Sequence, residues 1–213
     1  ILVFLVSQAD AQSETDVVQA TPDTVEVETI PMDQIPVATG ETAVRLLKLD
    51  ESLIKQETID SERRVNDSLM SIIDSLLTGE SKIDHEALNV RYLLNKRNFW
   101  SEQQSMIKSQ QDRLSAIIKR LSDKQKDIDE ELELWKATRD GLDTETMAPS
   151  ITSMMDEVLN YGDSINGVII DKTNQVFEIL EKTTYYGLEV VNLMDKLSNM
   201  IDSRKVEVFS KTH

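Results

Sequence analysis

Few residues of this sequence are equipped for chemistry. His85 and His213 are the only imidazoles, and cysteine is absent. That removes thiol nucleophiles, Cys-ligated zinc and disulfides. The densest group of ionisable side chains is Asp127, Asp129, Glu130, Glu131 and Glu133. Carboxylates this close suit a cation, but these lie within a helical pattern that has neither the loop glycine nor the converging carbonyls of a calcium cage. They read as a solvated helix face. Trp100 and Trp135 could stack a ligand, yet they occupy the same position of a seven-residue repeat and read as core. Tyr185 and Tyr186 are neighbours in a helical pattern and so face different directions, Tyr186 inward and Tyr185 outward. The sequon Asn66-Asp67-Ser68 has meaning only in a eukaryotic secretory pathway. No glycine-rich phosphate loop, nucleophile motif or metal-spaced histidine pair is present. The inventory predicts no active site, no metal site and no cofactor.

Composition points the same way. The 213 residues are 39% hydrophobic, 5% aromatic and 29% charged, with six glycines and four prolines, a mixture that fits long helices and argues against sandwiches, barrels and nucleotide-binding α/β folds. The net charge of −16 opposes binding to phosphate backbones, so nucleic acid is not an expected partner.

The elements that must position these residues are legible from periodicity. Residues 1–11 (ILVFLVSQADA) form a short apolar run ending in the small residues Ala9 and Ala11. They read as the remnant of a signal peptide, which places the chain outside the cytoplasm. Residues 12–40 hold Pro22, Pro31 and Pro36 and no Lys or Arg, and read as a disordered acidic linker.

Three helical stretches follow, at about 41–77, 84–140 and 149–209. In the first, Val65, Leu69, Ile72 and Leu76 recur at four- and three-residue spacing, and the polar segment Gln56 to Arg63 marks a hinge, a phase shift or a break into two helices; the pattern does not choose. Asp84 is the expected cap of the second stretch. There Leu93, Trp100, Ile107, Leu114, Leu121, Ile128 and Trp135 fall seven residues apart, the signature of a supercoiling seam. Its complementary position is poorer, interrupted by Gln103, Gln104, Gln110, Gln111, Lys124 and Gln125. Pro149 suits the first turn of the third stretch. One seam position there runs through Ile165, Lys172, Ile179, Tyr186 and Leu193, the other through Met155, Gly162, Ile169, Val176, Thr183, Val190 and Leu197. The predicted fold is all-α, an elongated antiparallel bundle with coiled-coil packing whose last two helices each span on the order of 85 to 90 Å.

One arrangement of residues resembles a known family. A helix carrying Trp100 ends in LELWKATRD (Leu132 to Asp140), then comes a loop with Pro149, then a long helix ending VNLMDKLSNMIDSRKVEVFSKTH. Over about residues 85–213 this is similar to the extracytoplasmic helical region of large mechanosensitive channels of the MscS type, where a W-x-x-T element, here Trp135 and Thr138, closes one long helix. The resemblance implies a periplasmic ectodomain of an inner-membrane protein, with its own membrane channel domain lying beyond His213. It also implies a ring-shaped homo-oligomer, a heptamer, that releases ions and small solutes on hypo-osmotic shock. The family's Gly- and Ala-rich pore helix is not in this sequence, so no pore residue carries over. An extracytoplasmic coiled-coil scaffold or adaptor, or a ligand-sensing helical bundle, is the alternative.

Overall fold

The structure, a computed structural model, describes residues 28–142 and 147–210, and its regular elements are helical throughout. Helix α1 spans Ile35–Glu51, α2 Gln56–Glu80, α3 Val90–Gly141 and α4 Pro149–Ser210, with short 3-10 turns at Met32–Gln34 and His85–Ala87. At about 1.5 Å per residue, α3 and α4 run roughly 78 and 93 Å.

Two boundaries differ from expectation, the starts of the first and second helical stretches, and one open choice is decided. Residues expected to form a disordered linker up to 40 are ordered from Glu28, and α1 begins at Ile35. Pro36, taken as a linker residue, sits in the first helical turn, where a missing N–H costs nothing. The signal remnant and the linker up to residue 27 lie outside the described residues. The first stretch is two helices, and they part just before the polar segment. Ser52 turns its N–H and hydroxyl back onto carbonyls of α1, and Lys55 is extended. Across the break, Lys172 of α4 donates its ammonium to the carbonyl of Ile54. A lysine on an apolar seam thus satisfies the backbone that the interruption leaves open. Asp84 caps only the 3-10 turn, through Glu86 N–H; α3 starts later, capped by Asn89, whose side chain accepts from Tyr92 N–H at 2.9 Å.

Cross-helix pairs give the directions. Leu132 abuts Gly162, Asp129 bonds Asn166 and Gln111 bonds Thr184, so residue numbers fall along α3 as they rise along α4. These helices run oppositely. Gln56 with Gln175, Asn66 with Thr183 and Asp74 with Tyr186 rise together, so α2 runs parallel to α4. Since Thr42 meets Glu131, Glu62 meets Gln110 and Glu80 meets Lys96, α1 and α2 follow one another along the same side of α3. Cross-sections through α1 or α2 therefore contain three helices: α3, α4 and one of those two.

The core has two parts. One gathers Ile35, Leu46, Ile59, Leu121, Ile128, Trp135, Ile165 and Ile179 with their neighbours. The other gathers Met70, Ile73, Leu93, Trp100, Ile107, Val190 and Leu197. Between them lies a polar layer. Thr183 donates to Asn66 Oδ1 at 2.6 Å while both are buried, and Gln110 and Arg113 donate to Glu62 at 3.0 and 3.1 Å.

Candidate functional site

The seam residues of α3 occupy one buried line: Leu93, Trp100, Ile107, Leu114, Leu121, Ile128 and Trp135 are all inaccessible or nearly so. On α4, Ile165 and Ile179 are buried, whereas Tyr186 and Leu193 are half-buried at the margin. The fully buried column of α4 runs instead through Met155, Gly162, Ile169, Val176, Thr183, Val190 and Leu197. The stripe expected on α2 turns outward. Ile59, Asn66, Met70, Ile73 and Glu80 are its buried residues, while Leu69 and Leu76 are half-covered and Val65 and Ile72 exposed. Both faces of this helix carry apolar side chains, and periodicity alone cannot say which one meets α4.

The chemistry-bearing residues gather where α3 faces α1 and α2. Near the end of α3, Glu131 accepts from Thr42 Oγ1 at 2.7 Å and from Arg45 at 2.8 and 3.2 Å. The indole N–H of Trp135 is shared between Thr42 Oγ1 and Glu131 Oε1, each at 3.2 Å. One turn on, Thr138 Oγ1 accepts from Ile30 N–H at 2.9 Å and donates to Leu134 O. The W-x-x-T element is therefore a clamp that fixes α1 and the segment before it against α3. Burial pushes the Glu131 carboxyl up, but hydrogen bonds from Arg45 and Thr42 and the Arg45 charge outweigh it and hold it below the ordinary value of 4.5. The acidic run of 127–133 is thus not one solvated face. Asp129 accepts from Asn166 at 3.1 Å, Glu131 is the hub of the clamp, and Asp127 and Glu130 make only surface pairs with Lys124 and Lys126.

At the α2–α3 turn a second carboxylate hub is buried more deeply. Glu80, 4% exposed, receives Lys96 Nζ on Oε2 at 2.7 Å and lies 2.8 Å from His85 Nε2 through Oε1. A carboxylate only accepts, so His85 Nε2 carries the proton in this bond. Burial again pushes the carboxyl up, and the bonds from Lys96 and His85, with the Lys96 charge, more than reverse it. Tyr92 lies under the Lys96 ammonium, 5.7 Å from ring centroid to nitrogen, and Phe99 meets Trp100 edge-on at 5.5 Å. Outside this hub α2 and α3 splay to leave a groove of about 540 Å³ lined by Leu76, Gly79, Ile83, Tyr92, Lys96 and Phe99, among others. A second depression of about 710 Å³ lies on α4 alone, over Phe177, Tyr185 and Leu188.

No group of three or more His, Cys, Asp or Glu side chains among the described residues is arranged to hold a metal ion. His213 lies outside the described residues. The carboxylates at the hubs are turned into the fold and matched there by Arg45, Lys96, Thr42 and His85. What the arrangement can do is join helices and present a half-apolar groove. Sequence reasoning missed both hubs; the available signal was a polar residue at six of seven successive heptad positions beside the apolar seam, Lys96, Gln103, Gln110, Lys124, Glu131 and Thr138, with Ile117 the exception. No protein-family model, curated protein or solved structure matches this chain.

Proposed function

We propose that this chain is a non-catalytic helical module that serves as the periplasmic accessory ectodomain of a tension-gated channel of the MscS type. The single observation behind the non-catalytic part is the placement of the inward-turned ionisable groups: buried Glu80 and His85 and part-buried Glu131 are each bonded to residues of the fold, which is the arrangement of structural hubs. The channel part draws its support from the W-x-x-T element, the Pro149 loop and the long helix after it. Among the described residues no helix is long and apolar enough to cross a membrane, so in this reading tension is collected by a lipid-embedded part encoded beyond His213. A bundle in water then biases gating only through interactions that differ between the closed and open states.

The test is a deletion of residues 41–213 from the full-length protein, followed by patch-clamp recording. The expected result is a channel that still opens, at a displaced tension threshold. Complete loss of conductance in a correctly inserted, assembled deletion overturns the accessory role. Coding sequence after His213 without segments of roughly 20 apolar residues overturns the channel assignment and leaves the second reading, an extracytoplasmic scaffold or adaptor, which the exposed α2–α3 groove favours.

A further inference from the structure

We propose that the outer face of α4 around Glu181 is a docking site for an amphipathic helix of a partner protein, which places an arginine on Glu181. Such a site is independent of the channel reading.

Ile170, Phe177, Tyr185 and Leu188 are 43%, 50%, 59% and 59% exposed, although α4 already buries its column from Met155 to Leu197. They lie between two closed flanks. On one, Glu178 meets Arg63 of α2; on the other, Thr184 meets Gln111 of α3. The strip from Ile170 to Leu188 runs for about 27 Å, five helical turns, and the depression of about 710 Å³ lies over its second half. Glu181 stands within that depression. Phe177 precedes it by four residues and Tyr185 follows it by four, so an aromatic side chain neighbours the carboxylate on each side along the helix. The Tyr185 ring is set in place by an edge contact with Tyr186 at 5.3 Å, and the Tyr186 hydroxyl donates to Asp74 of α2. Glu181 itself is exposed, and among the described residues no ion pair includes it: Lys182 beside it is taken by Asp67, and Arg63 by Glu178.

Charge selects the occupant. From Gly167 to Asn192, α4 carries Asp171, Glu178, Glu181 and Glu189 against Lys172 and Lys182. Both lysines are turned away from the strip, bonded to the Ile54 carbonyl and to Asp67. Two exposed cations of neighbouring helices, Arg64 beside Arg63 and Lys108 one turn from Gln111, sit on α2 and α3 rather than on the strip. An acidic strip on a chain of net −16 repels anionic membranes and nucleic acid. It also repels a second copy, since strip laid on strip sets Glu181 against Glu181. What fits is a cation among apolar groups. An arginine fits better than a lysine, because its planar guanidinium donates two parallel N–H bonds to a carboxylate while its faces stack on aromatic rings such as Phe177 and Tyr185. Apolar side chains on the same partner helix, one and two turns away, then cover Ile170 and Leu188, the area that water disfavours.

The probe is a fluorescent helical peptide of about 18 residues, built from Leu, Ala and Gln with one arginine in the middle of its leucine face. Its control carries citrulline, the neutral isostere, in place of that arginine. Fluorescence anisotropy with the full chain is expected to show saturable binding with a Kd of about 50 μM. Citrulline in the peptide, or Glu181→Gln in the chain, is expected to weaken binding about tenfold, and the two together no further, since they remove the same contact. Phe177→Ala and Leu188→Ala are expected to cost about fivefold each. Glu157→Gln, which removes an equal charge from an exposed site elsewhere on α4, is expected to change nothing. No saturable binding overturns the proposal. So does a loss from Glu157→Gln as large as that from Glu181→Gln, which means diffuse charge attraction, or additive losses from citrulline and Glu181→Gln. A dimer in sedimentation velocity at about 100 μM that Phe177→Ala dissolves also overturns it, because a second copy then occupies the strip.

Discussion

On one side of the Asn66–Thr183 layer, Trp135 is fully buried and its indole N–H is shared between Thr42 and Glu131. On the other side Trp100 is equally buried and occupies the same heptad position, but its N–H reaches no acceptor at hydrogen-bond geometry among the described residues and only lies near Glu80, whose carboxyl it helps to hold down. The carboxylates differ in the opposite sense. Glu131 is partly wet and meets an Arg45 side chain that is 54% exposed, whereas Glu80 is sealed and held by Lys96 and His85. One half of the bundle joins α1 to α3 with a solvated ion pair and a satisfied tryptophan. The other joins α2 to α3 with a buried carboxylate under a half-buried lysine, and with a tryptophan whose N–H makes no bond of good geometry. The same seven-residue apolar line therefore rests on two different electrostatic supports, and desolvation decides what each contributes: a pair near water gains little, while a sealed charge deprived of its partner is costly.

The largest separation of the two halves is expected from removing their cations. Lys96→Met leaves the Glu80 carboxylate buried without its cation, facing only His85 and the Trp100 indole, and should destabilise the fold by about 3 kcal/mol, as breaking a buried pair does. Arg45→Met removes a surface-side cation and should cost about 1 kcal/mol. Denaturant unfolding of both variants checks this, and equal losses would break the comparison. The pH dependence has a definite sign. Both carboxyls are held below 4.5 in the folded chain, so the unfolded chain binds more protons than the folded one as pH falls through and below that value. Their stabilisation is complete above about 4.5 and is lost toward lower pH. A Glu80→Gln, Glu131→Gln double variant should show a shallower loss of stability in that range; an unchanged acid limb would mean that other carboxylates govern it.

A smaller contrast is expected at the tryptophans. Trp135→Phe removes a donor and leaves Thr42 and Glu131 short of it, for a cost of about 2 kcal/mol from the lost bond and the lost volume. Trp100→Phe loses similar volume but also removes a buried N–H without a partner, so its cost should be about 1 kcal/mol. Melting curves that placed Trp100→Phe below Trp135→Phe would show that its indole N–H is satisfied after all, by a bound water or by Glu80.

How much of this was legible depends on which physical signal each residue carries. The line from Leu93 to Trp135 is readable because large apolar groups recur at one spacing over many turns. Pro36 as a helix starter is not legible, because proline suits a linker and a first helical turn equally and the acidic, Lys-free composition around it favours the former. The outward turn of Val65 and Ile72 was not readable: α2 has apolar residues on two faces, and the choice is made by contact with α4, more than a hundred residues away in sequence. The hubs failed for a related reason. A glutamate at position 80 or 131 looks like any solvated glutamate until Lys96, Thr42 or Arg45 is brought to it by the fold. Lys172 is the same case in reverse, an interruption of an apolar seam whose partner, the Ile54 carbonyl, exists only because α1 and α2 part there.

The smallest expected effect concerns how closely α3 and α4 approach in the two halves. A Cβ built at Gly162 would lie 2.7 Å from Leu132 Cδ2 and 3.3 Å from its Cγ, so the helices meet there because the residue has no side chain. At Gly187, in the other half, a Cβ would rest 3.4 Å from Ile107 Cγ2, and at Gly167 nothing lies within 4 Å. Replacing a glycine inside a helix by alanine gains about 0.8 kcal/mol from propensity where space allows. Gly167→Ala should show that gain in full, and Gly187→Ala most of it. At Gly162 the same gain competes with crowding a buried leucine, which costs about 1 to 3 kcal/mol, so Gly162→Ala should be destabilising by about 1 kcal/mol net. Adding Leu132→Val makes room for the new methyl group, and the pair should show a favourable coupling in a double-mutant cycle. If Gly162→Ala stabilised the chain as much as Gly167→Ala does, Leu132 would have an alternative rotamer, and the tighter approach in the Glu131 half would not be a constraint on the sequence.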